Sequence, residues 1–96
     1  MKYEIEIRER LYNTFKKLEK KDKKKLEIIN KKVQDIAKDP YRFKPLKKPL
    51  QHLRRVHINS NFVLIYSVKE QEKKVVLEDF DHHDKIYMQD IKRVCA

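Results

Sequence analysis

Arg55 and His57 combine a permanent cation with a side chain that titrates near neutral pH. They are two positions apart, so on an extended strand they lie on the same face. The alternate residues Val56 and Ile58 are apolar and are expected to face a core. An arginine beside a histidine can bind a phosphate group and transfer a proton, although both could also be ordinary surface residues of a strand.

Cleavage of RNA by its own 2′-hydroxyl group requires these two functions. The 2′-oxygen attacks the adjacent phosphorus, the 5′-oxygen leaves, and a cyclic phosphate forms. Histidine is suited to the proton transfers, and arginine is suited to stabilising charge on the phosphate oxygens. Because no water molecule has to be activated, the reaction needs no metal. The Arg55–His57 pair is therefore compatible with a metal-free ribonuclease.

A second group of candidate residues lies in the segment LEDFDHHDKIY, residues 77–87, where four acidic residues surround His82 and His83. Adjacent histidines point apart in an extended chain, so this spacing does not demand a metal site, although one can be drawn with Asp81 or Asp84. We expect instead that a neighbouring carboxylate holds one of the histidines charged or correctly oriented. No metal and no other cofactor is predicted.

Composition favours a polyanionic partner. The 96 residues include 25 Lys+Arg and 15 Asp+Glu, which gives a formal net charge of +10. Nucleic acid is the first expectation and an acidic protein the second, with a lysine-rich solubilising surface as the alternative. The length predicts one domain over residues 1–96. A single cysteine, Cys95, and the lack of any signal-like or membrane-spanning segment lead us to expect a cytoplasmic protein without membrane contact.

The periodicity of apolar residues predicts the elements of the first half. Residues 2–8 alternate like a half-buried strand, and residues 9–20 and 22–38 carry apolar side chains at helical spacing. Asp22 is the expected N-cap between the two helices, and Pro40 is expected to end the second one.

The second half is predicted to contain strands. Residues 40–50 hold all three prolines and predict an extended basic connection. Strands follow at 52–58, 62–68 and 75–80, and a short helix at 85–94. The strand at 62–68 is apolar on both faces and should be central. The chain has no glycine, so an asparagine must supply any positive φ angle in the first hairpin.

The order β-α-α-β-β-β-α predicts an α+β fold. It consists of an N-terminal strand, a helical hairpin, a three-strand antiparallel meander and a short C-terminal helix. Helices are expected on one face of the sheet, which leaves the other face for function.

Three segments in this order, DPYRFKPLKKPLQHLRRVHI, FVLIYSV and VVLEDFDHHDKIY, carry a resemblance to a known family. The chain resembles the RelE/ParE superfamily of toxins from type II toxin–antitoxin systems, on its RelE-like mRNA interferase side, over about residues 3–90. This resemblance implies a RelE-like fold and a ribosome-dependent endoribonuclease that cuts messenger RNA in the ribosomal A site by metal-free 2′-hydroxyl attack. It also implies a cognate RelB-like antitoxin that holds the toxin inactive.

The resemblance also implies roles for individual residues. The basic strand pair of the family corresponds to Arg55 and His57, the basic position after the last strand to His83 or His82, and the closing tyrosine to Tyr87. The predicted catalytic residues are therefore Arg55, His57, His83 and Tyr87. The residues predicted to bind RNA phosphate are Arg54, Lys47, Lys48 and His82.

One position departs from the family pattern. RelE-like sequences often have an arginine directly after the aromatic residue that begins the third strand, and Val63 stands there in this chain. The missing cation could be replaced by Arg54, Arg55 or Lys47.

Two other functions remain open at this point. One is a ParE-like poison of DNA gyrase, which has the same fold and no ribonuclease chemistry. The other is a non-catalytic RNA-binding module. The histidines favour a ribonuclease over a gyrase poison, because binding to gyrase requires no group of titrating side chains.

Overall fold

The computed structural model describes residues 3–48, 50–59 and 61–82. The described elements follow the predicted β-α-α-β-β-β order, and the helix predicted at 85–94 lies outside the described residues. The elements are β1 (Glu4–Ile7), α1 (Glu9–Lys21), α2 (Lys23–Lys38), β2 (Leu53–Ile58), β3 (Phe62–Lys69) and β4 (Lys74–His82), with a 3₁₀ turn (Glu70–Glu72) before β4.

The helical hairpin forms where the sequence places it. The backbone N–H of Asp22 donates to the carbonyl of Leu18 at 2.7 Å, and its Oδ1 accepts from the backbone N–H of Lys25 at 3.1 Å. Asp22 therefore ends α1 and caps α2, as predicted. The second helix ends at Lys38, two residues before Pro40, because proline disfavours helical geometry in the preceding residue. No helix among the described residues is long and apolar enough to cross a membrane.

The four strands form one mixed sheet in the order β1-β4-β3-β2. The antiparallel pairing of β2 with β3 and of β3 with β4 confirms the predicted meander. The first strand pairs in parallel with β4, so β1 and β2 form the two edges of the sheet. The parallel pairing is possible because the helical hairpin provides the long connection that it needs.

Two residues other than glycine supply the positive φ angles of the described turns. Asn59 has a φ of 56° at the β2–β3 turn, as expected for a chain without glycine. Lys73 has a φ of 51° at the end of the 3₁₀ turn, where no asparagine is available. Its ammonium group lies 2.8 Å from Oε1 of Glu70, and this contact accompanies the left-handed backbone.

The main core lies between the helices and one face of the sheet. It combines one side chain of α1 with two of α2, with alternate side chains of β2 and β3, and with three side chains of β4. Its buried members are Leu11, Ile29, Ile36, Val56, Ile58, Leu64, Tyr66, Val75, Leu77 and Phe80.

A smaller apolar cluster lies on the opposite face of the sheet. Val63 and Ile65 of β3 pack there with Leu53, and Leu46 and Leu50 cover them. The predicted open face is therefore partly covered by the segment 40–50. Central β3 is apolar on both faces, as predicted, and its second face requires an apolar cover.

The same segment is more regular than the sequence predicts. The backbone N–H of Leu46 donates to the carbonyl of Leu53 at 2.9 Å, and that of Arg55 donates to the carbonyl of Lys44 at 3.1 Å. These bonds lie on either side of an isolated antiparallel bridge between Pro45 and Arg54. They fix residues 44–46 against the edge of β2.

Candidate functional site

The face of β2 opposite the main core presents Arg55 and His57, as the alternation predicts. Arg55 lies opposite Ile65 and His57 opposite Val63 in the pairing with β3. The imidazole is exposed and the arginine is half-buried. Their positions are fixed because Val56, between them, is buried in the main core with 4% exposure.

Three segments meet beside this edge of the sheet and form an open cleft of about 490 Å³. Lys32 comes from α2, Arg42 and Lys44 from the segment after α2, and Arg55 and His57 from β2. Phe43 and Val56 complete the lining. We call this the basic cleft.

The chemistry of the basic cleft is that of an anion site. Four of its seven lining residues carry a permanent or near-permanent positive charge, one is histidine, and none of the seven is acidic. Closely spaced cations favour a phosphate-rich ligand, because each phosphate oxygen can accept charge-assisted hydrogen bonds. An imidazole in the same cleft adds a group able to accept or donate a proton near neutral pH.

Sequence reasoning identified only part of this lining. In the sequence, Lys32 is one of many lysines of the predicted second helix, and Arg42 and Lys44 belong to the predicted basic connection at 40–50. A sequence signal exists for the latter, because basic residues alternate with Tyr41 and Phe43 directly after the helix-ending Pro40. No sequence pattern places Lys32 beside β2, since that depends on how α2 packs on the sheet.

Arg54, predicted to bind phosphate, points to the other face of β2, together with Val56 and Ile58. Its Nη1 donates to the backbone carbonyl of Phe43 at 2.6 Å and lies 3.5 Å from that of Tyr41. Its guanidinium carbon lies 5.1 Å from the centre of the Tyr41 ring. Arg54 does not belong to the lining of the basic cleft.

The loop lysines Lys47 and Lys48 are exposed. They follow buried Leu46 and are not among the residues that line the basic cleft. Their predicted contact with RNA phosphate stays a prediction, and both follow Leu46, a member of the smaller apolar cluster, in the chain.

His82 is the last residue of β4, although the sequence placed it beyond the strand. Its ring packs edge-on against Phe62, with 5.6 Å between the ring centres. Phe62 also stacks on Phe80 of the main core, so His82 lies on the helix-facing side of the sheet. The structure thus brings Arg55 and His57 together and places His82 on the opposite face. The other two predicted catalytic residues, His83 and Tyr87, lie outside the described residues.

Two acidic residues of β4, Glu78 and Asp79, contact arginines at the start of α1. Oε1 of Glu78 accepts from Nε of Arg8 at 3.0 Å, and its Oε2 accepts from the hydroxyl of Ser67 at 2.7 Å. Oδ2 of Asp79 lies 3.7 Å from Nη2 of Arg10. The expectation that Asp81, Asp84 or Glu78 holds His82 or His83 stays a prediction, since His83 and Asp84 lie outside the described residues. Oδ1 of Asp81 accepts from the backbone N–H of His82 at 2.7 Å. A bulge leaves Glu78 without a backbone register partner on β3, and its described side-chain contacts are with Arg8 and Ser67.

The electrostatics of this pair follow from the contacts. Burial by itself would raise the pKa of Glu78, but the hydrogen bonds from Arg8 and Ser67 outweigh it and hold the pKa below its usual range. The same hydrogen bond raises the pKa of Arg8. Within the described residues, no group of three His, Cys, Asp or Glu side chains could hold a metal ion.

Val63, at the position where related sequences often have arginine, is fully buried. It lies between His57 on β2 and Asp81 on β4 in the sheet register. Here the position belongs to the smaller apolar cluster, and the cations of the basic cleft come from Arg55 and from residues outside the sheet.

Comparison with known proteins adds the family context. The family model described as ParE toxin of type II toxin–antitoxin system, parDE, matches residues 5–87. A Methanocaldococcus jannaschii protein that bears the toxin name RelE4 is 49% identical over 85 residues, which cover 88% of this chain and 90% of that protein.

Solved structures share the fold at low identity. A mutant of the RelE toxin of Escherichia coli in the free state superposes with a TM-score of 0.73 at 19% identity, covering 98% of this chain and 99% of that one. The YoeB–YefM complex of Staphylococcus aureus contains a chain with a TM-score of 0.72 at 18% identity, covering 86% of this chain and 99% of that one.

Proposed function

The chain belongs to the RelE/ParE superfamily of toxins from type II toxin–antitoxin systems, and on that premise we propose that it is a ribosome-dependent endoribonuclease that cleaves messenger RNA in the A site. The observation that carries this proposal is the basic cleft, where Arg55 and His57 lie together with Lys32, Arg42 and Lys44. A cleft with four cations and one imidazole has the groups that cleavage of a phosphodiester requires.

The proposed reaction is attack by the 2′-hydroxyl of the RNA on the adjacent phosphorus. The 2′-oxygen forms a bond to phosphorus and loses its proton, while the bond to the 5′-oxygen breaks and that oxygen gains a proton. His57 is positioned for one of these proton transfers, and Arg55 stabilises the charge on the phosphate oxygens. His83 and Tyr87 stay in the proposal as the second proton-transfer group and a substrate-orienting residue. No metal is needed, because the nucleophile belongs to the substrate.

A protein antitoxin is the proposed inhibitor. YoeB–YefM of S. aureus is described as a toxin–antitoxin complex, and the same arrangement is proposed for this chain with a RelB-like antitoxin. A net charge of +10 favours an acidic antitoxin segment that becomes ordered on binding. Growth arrest on induction, relieved by co-expression of the product of the neighbouring gene, would test this partnership. Arrest that no neighbouring gene product relieves would contradict it.

A gyrase poison is the second candidate, because the family model that matches residues 5–87 is named for ParE. Such a toxin would inhibit DNA supercoiling and leave RNA intact. The basic cleft favours the ribonuclease, since a gyrase inhibitor needs no imidazole among its cations.

The deciding experiment is a translating extract to which the purified protein is added. We expect cuts within codons at the A site of translating ribosomes, mapped by primer extension, and no effect on supercoiling by purified gyrase. Inhibited supercoiling with intact messenger RNA would instead assign the chain to the gyrase poisons. Salt-sensitive RNA binding without cleavage or toxicity would indicate a non-catalytic binding module.

A further inference from the structure

Arg54 lies next to the basic cleft but contacts the backbone of a loop that lines it. We propose that Arg54 is a positioning residue, which holds residues 40–44, here called the cleft loop, so that Arg42 and Lys44 face the RNA phosphates. This inference rests on the proposed function, since it names how that RNA site is ordered. It gives Arg54 a role different from the direct phosphate contact that the sequence predicts.

The contacts of Arg54 alternate with the residues that line the cleft. Its Nη1 lies 2.6 Å from the carbonyl of Phe43 and 3.5 Å from that of Tyr41. The intervening and following residues, Arg42 and Lys44, line the basic cleft. Arg54 thus binds the main chain on either side of Arg42 and leaves both cationic side chains to the ligand.

The cleft loop is held at further points that work with Arg54. The buried hydroxyl of Tyr66 donates to the carbonyl of Pro40 at 2.6 Å, and burial raises the pKa of that phenol, so it stays a donor. The hydroxyl of Tyr41 donates to Oε2 of Glu70 at 3.0 Å. At the other end, the backbone N–H of Arg55 donates to the carbonyl of Lys44 at 3.1 Å.

If these anchors were absent, the cleft loop and its cationic side chains would have to become ordered when RNA binds, and this ordering would lower the affinity. Each immobilised long side chain and each ordered backbone residue costs conformational entropy, so a loop fixed in advance binds more tightly with the same charges. Arginine suits this task because its planar group can stack on Tyr41 while a nitrogen reaches the Phe43 carbonyl. Lysine keeps the charge but is one bond shorter and has no plane to stack.

The test uses the full chain and a single-stranded RNA in which every 2′-hydroxyl is methylated, so that binding is measured without cleavage. We expect Arg54→Lys to weaken binding by about tenfold although the net charge is unchanged, because the loop is no longer ordered. Arg42→Ala should weaken binding by a similar factor in the wild-type chain but by less than about twofold in Arg54→Lys, since two residues that act through one another are not additive.

Lys32→Ala is the matched control, because Lys32 lines the same cleft from α2 and not from the cleft loop. The factor by which Lys32→Ala weakens RNA binding should be the same in the wild-type chain and in Arg54→Lys. Tyr41→Leu is a second variant that leaves the net charge unchanged, at a residue with 48% exposure, and it should also weaken RNA binding. Full affinity in Arg54→Lys, or a multiplicative effect of Arg54→Lys with Arg42→Ala, would overturn the proposal.

Amide hydrogen exchange measures the loop without any ligand. In Arg54→Lys we expect the backbone N–H of Arg55, bonded to Lys44, to exchange about tenfold faster, while amides between β3 and β4 keep their rates and show that the chain is folded. An unchanged rate at Arg55 would refute the positioning role even if RNA binding fell. A wild-type chain that leaves messenger RNA intact in the translating extract would refute the proposed function, and the exchange rate at Arg55 would still decide whether Arg54 holds the loop.

Discussion

At the scale of single residues, the structure separates charged groups that the sequence places side by side. Arg54 and Arg55 are neighbours, but Arg54 binds loop carbonyls on one face of β2 and Arg55 lines the basic cleft on the other. Glu78 precedes the histidines by a few positions, yet it binds Arg8 at 3.0 Å. Strand alternation explains the first separation and a bulge the second.

The first prediction concerns His57. His57→Ala should lower the rate of messenger RNA cleavage by about a hundredfold or more, because it removes a positioned proton-transfer group. The measurement is the cleavage rate in a translating extract at saturating protein. His52→Ala is the control, since His52 is exposed and lines a separate cleft with Arg8 and Glu78. Equal rates for the two variants would show that His57 has no catalytic role.

At the scale of elements, the segment between α2 and β2 connects the helical layer to the sheet. Its first half lines the basic cleft, and its second half covers the outer face of β3 with Leu46 and Leu50. Its edge bonds to Leu53 and Arg55 extend the sheet locally beyond β2. The segment therefore contributes both to the site and to the core, which explains why it is held at several points.

The carboxylate of Glu70, in the 3₁₀ turn, contacts the residue before β1 and the cleft loop, and it makes the free energy of unfolding depend on pH. Its carboxylate accepts from the hydroxyls of Tyr3 and Tyr41 at 2.7 and 3.0 Å, and Lys73 lies 2.8 Å away. The hydrogen bonds, first of all that from Lys73, lower the pKa of Glu70 to about 2. The depressed pKa means that this contribution is full above the ordinary value of 4.5 and is lost as pH falls toward 2.

The second prediction follows from the lowered pKa of Glu70. Glu70→Gln should lower the melting temperature at pH 7, and the difference from the wild type should shrink between about pH 4.5 and pH 2. Thermal unfolding followed by circular dichroism across this range is the measurement. Glu72→Gln, an exposed position in the same 3₁₀ turn, is the control and should give little change at any pH. A difference that does not vary with pH would contradict the role assigned to the Glu70 carboxylate.

At the scale of the whole molecule, the chain has a net charge of +10, and several described segments bring cations together at the basic cleft. The helical hairpin carries many lysines along its outer surface. The basic cleft instead gathers Lys32, Arg42, Lys44 and Arg55 around one imidazole. Long-range attraction to RNA is expected from the whole surface, whereas tight binding is expected from the cleft, because its clustered cations can contact adjacent phosphates together.

The third prediction is a salt dependence of RNA binding. If the four cleft cations each neutralise one phosphate of a single strand, the slope of log K against log salt should be about −3. Lys32→Ala should make the slope less steep by about 0.7, and Lys31→Ala, the neighbouring exposed lysine outside the cleft lining, should leave it nearly unchanged. Equal changes for both lysines would mean that RNA binds to the surface of the hairpin without preference for the cleft.

The sequence by itself determined the elements and much of their chemistry. Apolar periodicity and the positions of Asp22, Pro40 and Asn59 predict the described helices, the meander and the turn residue with positive φ, because these depend on local backbone preferences. The alternation of β2 also predicts that Arg55 and His57 share a face, because side-chain direction in a strand has a period of two.

Only the tertiary structure decided which residues complete the site. The position of β1 beside β4, the approach of Lys32 to β2 and the attachment of Arg54 to the cleft loop all join residues that are distant in the chain or whose direction depends on packing. The bulge that turns Glu78 toward Arg8 is likewise a matter of register between two strands, which local sequence does not specify. Such contacts follow from how layers pack, so the basic cleft becomes visible only when α2, the cleft loop and β2 are seen together.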